Sequence, residues 1–444
     1  MVQCVSLCDA TMQVRLKAIR ICDFLCGNER EKLMWAKRIR LFFLICFGVL
    51  TPLCANAQSR DTKLNVAIFA YLPDASTAIK KLENAFERRY LSIDLDLELW
   101  NPYDDSFEGN GLSRIVDFDI VEIDTCRIDE LMEGQFGGID EIPIEVRRTP
   151  DSYIGPASVI SKTEIGTQVV PHWVCGNYLQ IWASNKDVVD ARTFESFLKA
   201  VDPAVGKPVL AAMWGGTTLG EYYADAVLDI HGPEWAREHL ISLWKDGAEL
   251  DEPAKAAVLS LIKELSKENQ AHLAHYNDHS YVLPRLFANS KDSTLIGYSE
   301  RIYYAERELQ LTPGQFPPIV KPDEIVIRQF SFADKSQGTP CWTDAFIIPK
   351  GRLSKKRAAI AAFLQFVQTN AAYSVFAEPA QFYAASYLLP ATTEAYQADS
   401  TIVKKQPLLP QFRDAMTDSF PVSNSKIWRG MRVAGDKLKK VIKP

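Results

Sequence analysis

Hydrophobic and polar residues in the first part of the chain follow the two spacings that distinguish strands from helices. Lys63–Ala70 and Phe118–Asp124 are apolar runs of strand length, and Asp94–Trp100 alternates strictly between apolar and polar residues. Between the first two of these strands along the chain, apolar residues recur at helical spacing from Ser76 to Tyr90. This strand–helix–strand order predicts a doubly wound sheet of parallel strands.

The later part of the chain is richer in helices. Val170–Trp182 is a long extended segment, and Thr294–Glu300 and Ala345–Ile348 predict further strands. The spacing of apolar residues predicts five helices, which are Phe194–Val201, Leu219–Leu228, Pro233–Lys245, Pro253–Asn269 and Ser354–Asn370. The chain is longer than one hydrophobic core usually serves, so we expect two lobes.

The amino-terminal region has the pattern of an export signal. A basic segment, Lys37–Arg40, precedes an apolar run, Leu41–Leu53, and an A-x-A cleavage site ends at Ala57. The apolar run is too short to span a bilayer. We therefore expect removal of residues 1–57 and export to the periplasm or beyond, with the 33 residues before Met34 reflecting an over-called start.

Composition narrows the chemistry. Six of the nine cysteines are removed with the signal, and Cys126, Cys175 and Cys341 remain, so at least one thiol stays outside any disulfide. No cysteine or histidine spacing resembles a zinc site. The net charge of −6 gives no support for nucleic-acid binding.

Cys175 is the candidate nucleophile. It lies near the end of the first strand-like part of Val170–Trp182, directly before Gly176, where a strand end would leave its sulfur accessible. A thiol becomes a strong nucleophile when its surroundings convert it to the thiolate. The alternative is a small buried hydrophobic residue, as most unpaired cysteines are.

Glu300 is the candidate base, because the tyrosines around it would partly desolvate its carboxylate and raise its pKa. The alternative is a solvated glutamate paired with Arg301. His172 is a second candidate base. Residues three apart on a strand point to opposite faces, so His172 is not expected to face Cys175, and a packed or merely exposed histidine is expected instead.

Two aspartates and four aromatic residues complete the candidate site. Asp124 ends a strand and could accept hydrogen bonds from an amino-heterocycle or cap the helix that follows it. Asp344 begins a strand and has no equally good capping role. The aromatic residues could enclose a flat cation, although each alone is also typical of a core. They are Tyr71, Trp173, Tyr298 and Trp342.

The order of elements from residue 62 onward resembles the maltodextrin-binding type of periplasmic solute-binding protein. The resemblance implies a two-lobed α/β (type II) fold in which each lobe has a mainly parallel sheet flanked by helices, with a cleft between the lobes. Lobe 1 would comprise 62–168 and 300–343, and lobe 2 would comprise 169–299 and 344–444.

A narrower set of segments is similar to thiaminase I (thiamine pyridinylase), a family of secreted, cofactor-free enzymes on that fold. The segments are Ala70–Asp74, Phe118–Thr125, Val170–Tyr178, Gly297–Arg301 and Trp342–Asp344.

The thiaminase resemblance implies specific roles. Cys175 would be the nucleophile and Glu300 the general base, while Asp124, Asp344, Tyr71 and Tyr298 would bind the pyrimidine. The implied substrates are thiamine and a small nucleophilic co-substrate (amine, thiol or water), with no cofactor, metal, nucleic acid or stable membrane partner, on a monomer. Cys126 and Cys341 depart from the family pattern, and their pairing stays open.

Two other functions remain as alternatives. A binding protein that delivers thiamine or a similar cationic heterocycle to a transporter would need the aromatic residues and aspartates but not a thiol with a base. A papain-like cysteine hydrolase would need a histidine near Cys175, and no such spacing is present.

Overall fold

The computed structural model of the protein describes residues 62–69, 75–100, 110–132, 137–213, 216–267, 269, 282–305, 323–377, 386–416 and 419–442. The predicted export signal and Tyr71 lie outside these residues, so the structure does not bear on them.

Twelve strands occur in the described residues. They are β1 Thr62–Phe69, β2 Ile93–Trp100, β3 Ile120–Asp124, β4 Ile139–Asp140, β5 Val170–Gly176, β6 Tyr178–Trp182, β7 Val209–Ala211, β8 Thr294–Gly297, β9 Ile325–Gln329, β10 Thr339–Pro349, β11 Leu389–Pro390 and β12 Ser419–Pro421. The large sheet has the order β11-β5-β10-β3-β1-β2, and β4 and β12 also pair with β10. The small sheet has the order β7-β8-β6-β9. The first three predicted strands are therefore present, at β1, β2 and β3.

The chain passes from the large sheet to the small one within the segment predicted as a single extended run. β5 ends at Gly176, β6 begins at Tyr178, and Asn177 alone separates them. β5 pairs with β10 and β11 in the large sheet, whereas β6 pairs with β8 and β9 in the small sheet. Sheet membership thus places this crossing at Asn177, inside the range predicted for lobe 2, and places all of β10 in the large sheet.

Both sheets are mixed, with parallel and antiparallel pairs, whereas mainly parallel sheets were predicted. β1 runs parallel to β2 and β3, as the strand–helix–strand pattern predicts. However, β10 runs antiparallel to β3, β4 and β5, and in the small sheet only the β7–β8 pair is parallel. A parallel pair requires a crossover connection of a dozen or more residues. β1, β2 and β3 follow one another through such connections, whereas β10 pairs with strands that are far away in the sequence, so the local spacing does not reveal its direction.

Helices flank the sheets. The α-helices are Ala75–Arg89, Asn110–Ser113, Ile128–Met132, Gly155–Ser161, Lys186–Asp190, Phe194–Ala200, Gly216–His231, Pro233–Lys245, Glu252–Lys263, Val282–Asn289, Leu353–Val367, Asn370–Ala377, Thr401–Lys405, Leu409–Ala415 and Ser425–Ile442. The predicted helix Pro253–Asn269 ends early, because Leu265 forms a β-bridge with Val209 instead. Among the residues that the structure describes, no helix is long and apolar enough to cross a bilayer.

The helix Gly216–His231 is held tightly against the carboxyl-terminal helix Ser425–Ile442. A Cβ atom added at Gly220 would overlap the carbonyl oxygen of Met431, and one added at Gly435 would overlap that of Gly216. Only glycine permits this approach of the two backbones. The same helix contacts β10, so its position relative to the large sheet is fixed.

Candidate active site

Three neighbouring strands of the large sheet each carry one residue that is not fully buried. In β3, β10 and β5 these residues are Asp124, Asp344 and Cys175, and all other residues of the three strands are buried. Asp344 pairs directly with Asp124, and Trp342, two residues earlier in β10, pairs with Cys175. Directly paired residues of antiparallel strands lie on the same face. The sheet thus brings both predicted aspartates and the predicted nucleophile to one surface.

Cys175 is a half-buried cysteine that forms no disulfide. Burial raises its pKa well above the ordinary value of 9.0, and the neighbouring carboxyl groups of Asp344, Asp124 and Glu300 raise it further. The thiol is therefore protonated in the unliganded protein. A base must take its proton for the sulfur to act as a nucleophile.

The other two cysteines are fully buried, and no disulfide joins any two of the three cysteines in the described residues. Cys341 lies opposite Gly176 in the β5–β10 pair. A Cβ atom at Gly176 would lie 2.8 Å from the Cys341 Sγ atom, so glycine next to Cys175 lets the two strands come together. Burial raises the pKa of Cys341 to about 12, and this thiol is inert.

Asp344 and Asp124 form a pair of carboxyl groups that cannot both ionise easily. Burial raises the pKa of Asp344 well above its ordinary value, and the charges of Asp124 and Glu122 raise it further. A hydrogen bond with Asp124 also favours the protonated form of Asp344, so the pair shares a proton. Asp124 stands at the start of the 3-10 turn Thr125–Arg127, but its side chain makes no capping hydrogen bond there. The capping alternative therefore has no support in the geometry.

Glu300 lies three residues after β8, directly before a helical turn. Burial raises its pKa, while the charge of Arg301 lowers it. The Arg301 Nε atom is 3.9 Å from the Glu300 Oε1 atom, so the expected ion pair exists, but the Glu300 side chain is only 18% exposed. A desolvated carboxylate is a stronger base than a solvated one. Its charge acts on the Cys175 thiol, so the two predicted catalytic residues are electrostatic neighbours.

His172 is buried rather than exposed beside Cys175. The β5–β10 pairing shifts register between Asp344 and Ala345, so His172 is the extra residue of a β-bulge and simple alternation fails here. The imidazole is fully buried, and its Nδ1 atom is 2.5 Å from a carboxylate oxygen of Glu122. The expectation of a packed histidine is met, with Glu122 as an unforeseen partner.

The predicted aromatic residues separate into two groups. The rings of Tyr298 and Trp342 lie edge to face, 6.2 Å apart, beside Cys175, and Trp342 is 5% exposed. Trp173 instead packs edge-on against Tyr373 and Phe376, and it is 3% exposed. The structure thus places Trp342 opposite Cys175, with Tyr298 against it, whereas Trp173, which pairs with Asp344, is buried in an aromatic cluster.

One carboxyl group next to this surface is not predicted from the sequence. Glu221, in the helix Gly216–His231, is 3% exposed and accepts hydrogen bonds from the Tyr298 hydroxyl and from the Asn177 side chain. Burial raises its pKa to about 7, although both hydrogen bonds and Arg301 lower it. The available signal was an acidic residue between apolar ones, Leu219 and Tyr222, on a predicted helix.

The described part of the chain contains no group of histidine, cysteine and acidic side chains that could hold a metal ion. Its functional surface instead combines a neutral thiol, a desolvated base, a carboxyl pair that shares a proton and an edge-to-face pair of aromatic rings. This combination can bind a flat cation with an amino group and attack it with sulfur.

No family model matches the chain, and no curated protein matches it. Solved structures do match. Thiaminase I of Clostridium botulinum in complex with thiamin is 18% identical with a TM-score of 0.65, and the match covers 85% of this chain and 98% of that one. Thiaminase I from Bacillus thiaminolyticus is 15% identical with a TM-score of 0.66, over 86% of this chain and 99% of that one.

A sugar-binding protein has a similar fold. Maltose-bound T. maritima MalE3 is 11% identical with a TM-score of 0.58, and the match covers 86% of this chain and all of the other. At these identities the likeness establishes the fold, which is the two-lobed α/β fold of solute-binding proteins, as predicted.

We expect the Cys175 thiol to titrate at a higher pH than an ordinary cysteine. Alkylation by iodoacetamide, followed by peptide mass analysis across a pH series, should give an apparent pKa above 9.0. The double variant Asp124→Asn/Asp344→Asn should lower that pKa, because it removes the negative charge next to the sulfur. Buried Cys126 and Cys341 serve as internal controls and should stay unmodified. An apparent pKa below the ordinary value for Cys175 would contradict this description.

Proposed function

We propose that this protein is a thiamine-degrading transferase of the thiaminase I type, in which Cys175 is the nucleophile and Glu300 the general base. The observation that carries the proposal is the pairing of β3, β10 and β5, by which the half-buried Cys175 shares one face of the sheet with the Asp124–Asp344 pair. The charge of the desolvated Glu300, from another segment, also acts on its thiol. The shared fold with thiaminase I structures supports it.

Substrate binding would use the acidic and aromatic side chains. The carboxyl groups of Asp124 and Asp344 would accept hydrogen bonds from the 4-amino group of the pyrimidine, and their net negative charge would attract the thiazolium cation. Tyr298 and Trp342 would contact the faces or edges of the rings. Tyr71 remains a proposed member of the same binding site from the sequence resemblance, and Trp173 from its place in the segment that carries Cys175.

In the first half of the reaction, Cys175 would transfer its proton to Glu300 and add through sulfur to C6 of the pyrimidine. Formation of the carbon–sulfur bond ends the aromaticity of that ring. The electron pair then moves through the ring to the methylene carbon and breaks its bond to the thiazolium nitrogen. That nitrogen keeps the pair, so the thiazole leaves as a neutral molecule.

In the second half, an amine, a thiol or water would add to the methylene carbon that the thiazole has left. The electron pair returns to the ring, the bond between C6 and sulfur breaks, and aromaticity is restored. Glu300 would first return to the departing Cys175 thiolate the proton it took in the first half, and would then accept the proton of the incoming nucleophile and release it to solvent. The cycle needs no cofactor, because the thiol and the incoming nucleophile supply the electron pairs and the carboxylate carries the protons.

We also propose that the chain is exported as a monomer after cleavage following Ala57. The pattern of residues 37–57 supports export.

The alternative function is a thiamine-binding protein that feeds a transporter, which the shared fold with a maltose-bound protein favours. Such a protein would use the aspartates and aromatic rings without turning its ligand over.

Replacement of Cys175 distinguishes the enzyme from the binding protein. Purified protein without residues 1–57 should convert thiamine to free thiazole and a pyrimidine product when an amine is present, measured by mass analysis. Cys175→Ser should abolish this turnover and still bind thiamine, because only the nucleophile is lost. Cys126→Ala, which removes a buried cysteine, is the matched control and should remain active. Turnover that persists in Cys175→Ser would refute the nucleophile assignment.

Loss of the base should slow the reaction without unfolding the protein. Glu300→Gln keeps the shape of the side chain but cannot accept the thiol proton, so we expect kcat to fall by about 10²-fold or more. The exposed residue Glu249 offers a control, Glu249→Gln, with an unchanged rate. In the wild type, kcat should decline on acidification at a pH above 4.5, since the raised pKa of Glu300 makes it lose its basic form there. A near-normal rate for Glu300→Gln would assign the base role elsewhere.

A further inference from the structure

The carboxyl group of Glu221 joins two segments that are far apart in the sequence. Its Oε1 atom accepts a hydrogen bond from the Tyr298 hydroxyl at 2.7 Å, and its Oε2 atom accepts one from the Asn177 side-chain amide at 3.1 Å. The side chain is almost completely buried. Each oxygen therefore has its own donor, and neither contact competes with bulk water.

The two donors stand next to the proposed reacting residues. Asn177 follows Cys175 by two residues at the crossing between the sheets, and Tyr298 precedes Glu300 by two residues directly after β8. The strands beside them are paired, with Tyr178 opposite Gly297. One carboxyl group thus links the segment that carries the thiol to the segment that carries the base.

The helix that supplies Glu221 is itself fixed. Tyr222 donates a hydrogen bond from its hydroxyl to the Ile296 carbonyl oxygen on β8, at 3.2 Å. The glycine contacts with the helix Ser425–Ile442 hold its other side. Glu221 is therefore a rigid anchor, which is what positioning of two reactive groups requires.

We propose that Glu221 is a positioning residue that holds Cys175 and Glu300 at the separation needed for proton transfer. This inference rests on the proposed function, because it takes those two residues as the reacting pair. Glu221 acts through Asn177 and Tyr298 and does not contact the reacting atoms. Replacing a residue with this role alters how strongly the reactivity of Cys175 depends on Glu300. Replacing a purely structural residue alters stability alone.

The helix provides a matched control for the test. Asp229, two turns after Glu221, is also buried and also accepts two hydrogen bonds, from the backbone N–H groups of Phe332 and Gln337. Those partners belong to neither reactive segment. Asp229→Asn therefore repeats the chemical change of Glu221→Gln at a site without the link.

The experiment is a double-mutant cycle on the alkylation rate of Cys175 with iodoacetamide at fixed pH. The ratio of rates with and without Glu300→Gln is measured in wild-type, Glu221→Gln and Asp229→Asn backgrounds. We expect Glu221→Gln to reduce the effect of Glu300→Gln about threefold or more, and Asp229→Asn to leave it unchanged. kcat for thiamine cleavage should fall about tenfold in Glu221→Gln and less than twofold in Asp229→Asn.

Equal ratios in all three backgrounds would overturn the positioning role, as would a wild-type rate that does not respond to Glu300→Gln. If Glu221→Gln does not fold, Tyr298→Phe removes one of the two links and should reduce the ratio in the same direction. Alkylation needs no substrate, so this outcome is separate from the proposed function, which fails if the wild type does not cleave thiamine.

Discussion

Desolvation of several carboxyl groups around one thiol is the physical constraint on which this site depends. Burial raises the pKa values of Asp344, Glu300 and Glu221. Burial also raises the pKa of Cys175, and the charges of Asp344, Asp124 and Glu300 raise it further. Like charges this close in a partly buried setting cannot all exist together. The unliganded site therefore retains protons on the thiol and within the aspartate pair. A bound cation would relieve the repulsion between the carboxylates and a thiolate at Cys175. The positive charge of the ligand would therefore favour deprotonation of the thiol.

The fold produces this crowding through strand register. Asp124, Asp344 and Cys175 come from three strands that are far apart in sequence, yet direct pairing places them on one surface. Gly176 lets β5 and β10 approach, and the crossing at Asn177 carries the chain straight from the thiol into the small sheet. The segment after β8 carries Glu300, whose charge acts on the Cys175 thiol. The site thus depends on pairing between distant strands rather than on a local sequence motif.

Much of the fold follows from the sequence, and the reason is periodicity. β1, β2, β3 and the helices Ala75–Arg89 and Pro233–Lys245 have clear spacing and were predicted nearly to the residue. The mixed strand directions, the β-bulge at His172 and the early end of the helix at Lys263 depend on tertiary pairing, which spacing does not reveal.

The same distinction applies to the site. Cys175, Glu300 and the two aspartates were predicted from residue type and from their place at the ends of predicted strands. The place of Asp344 was wrong, because it lies in the middle of β10, which begins at Thr339 rather than after Asp344. Glu221 and Glu122 escaped, because each is a single acid inside an apolar segment whose partners come from distant parts of the chain.

The central claim is that the Cys175 sulfur forms a bond to a pyrimidine carbon of thiamine. Rapid acid quench of the wild-type protein with thiamine in the absence of an amine or thiol, followed by intact-mass and peptide analysis, tests it most directly. We expect a mass increase equal to the pyrimidine fragment. It should lie on the peptide that contains Cys175 and be absent from the peptides with Cys126 or Cys341. Thiamine cleavage without such an adduct, or an adduct on another residue, would contradict it.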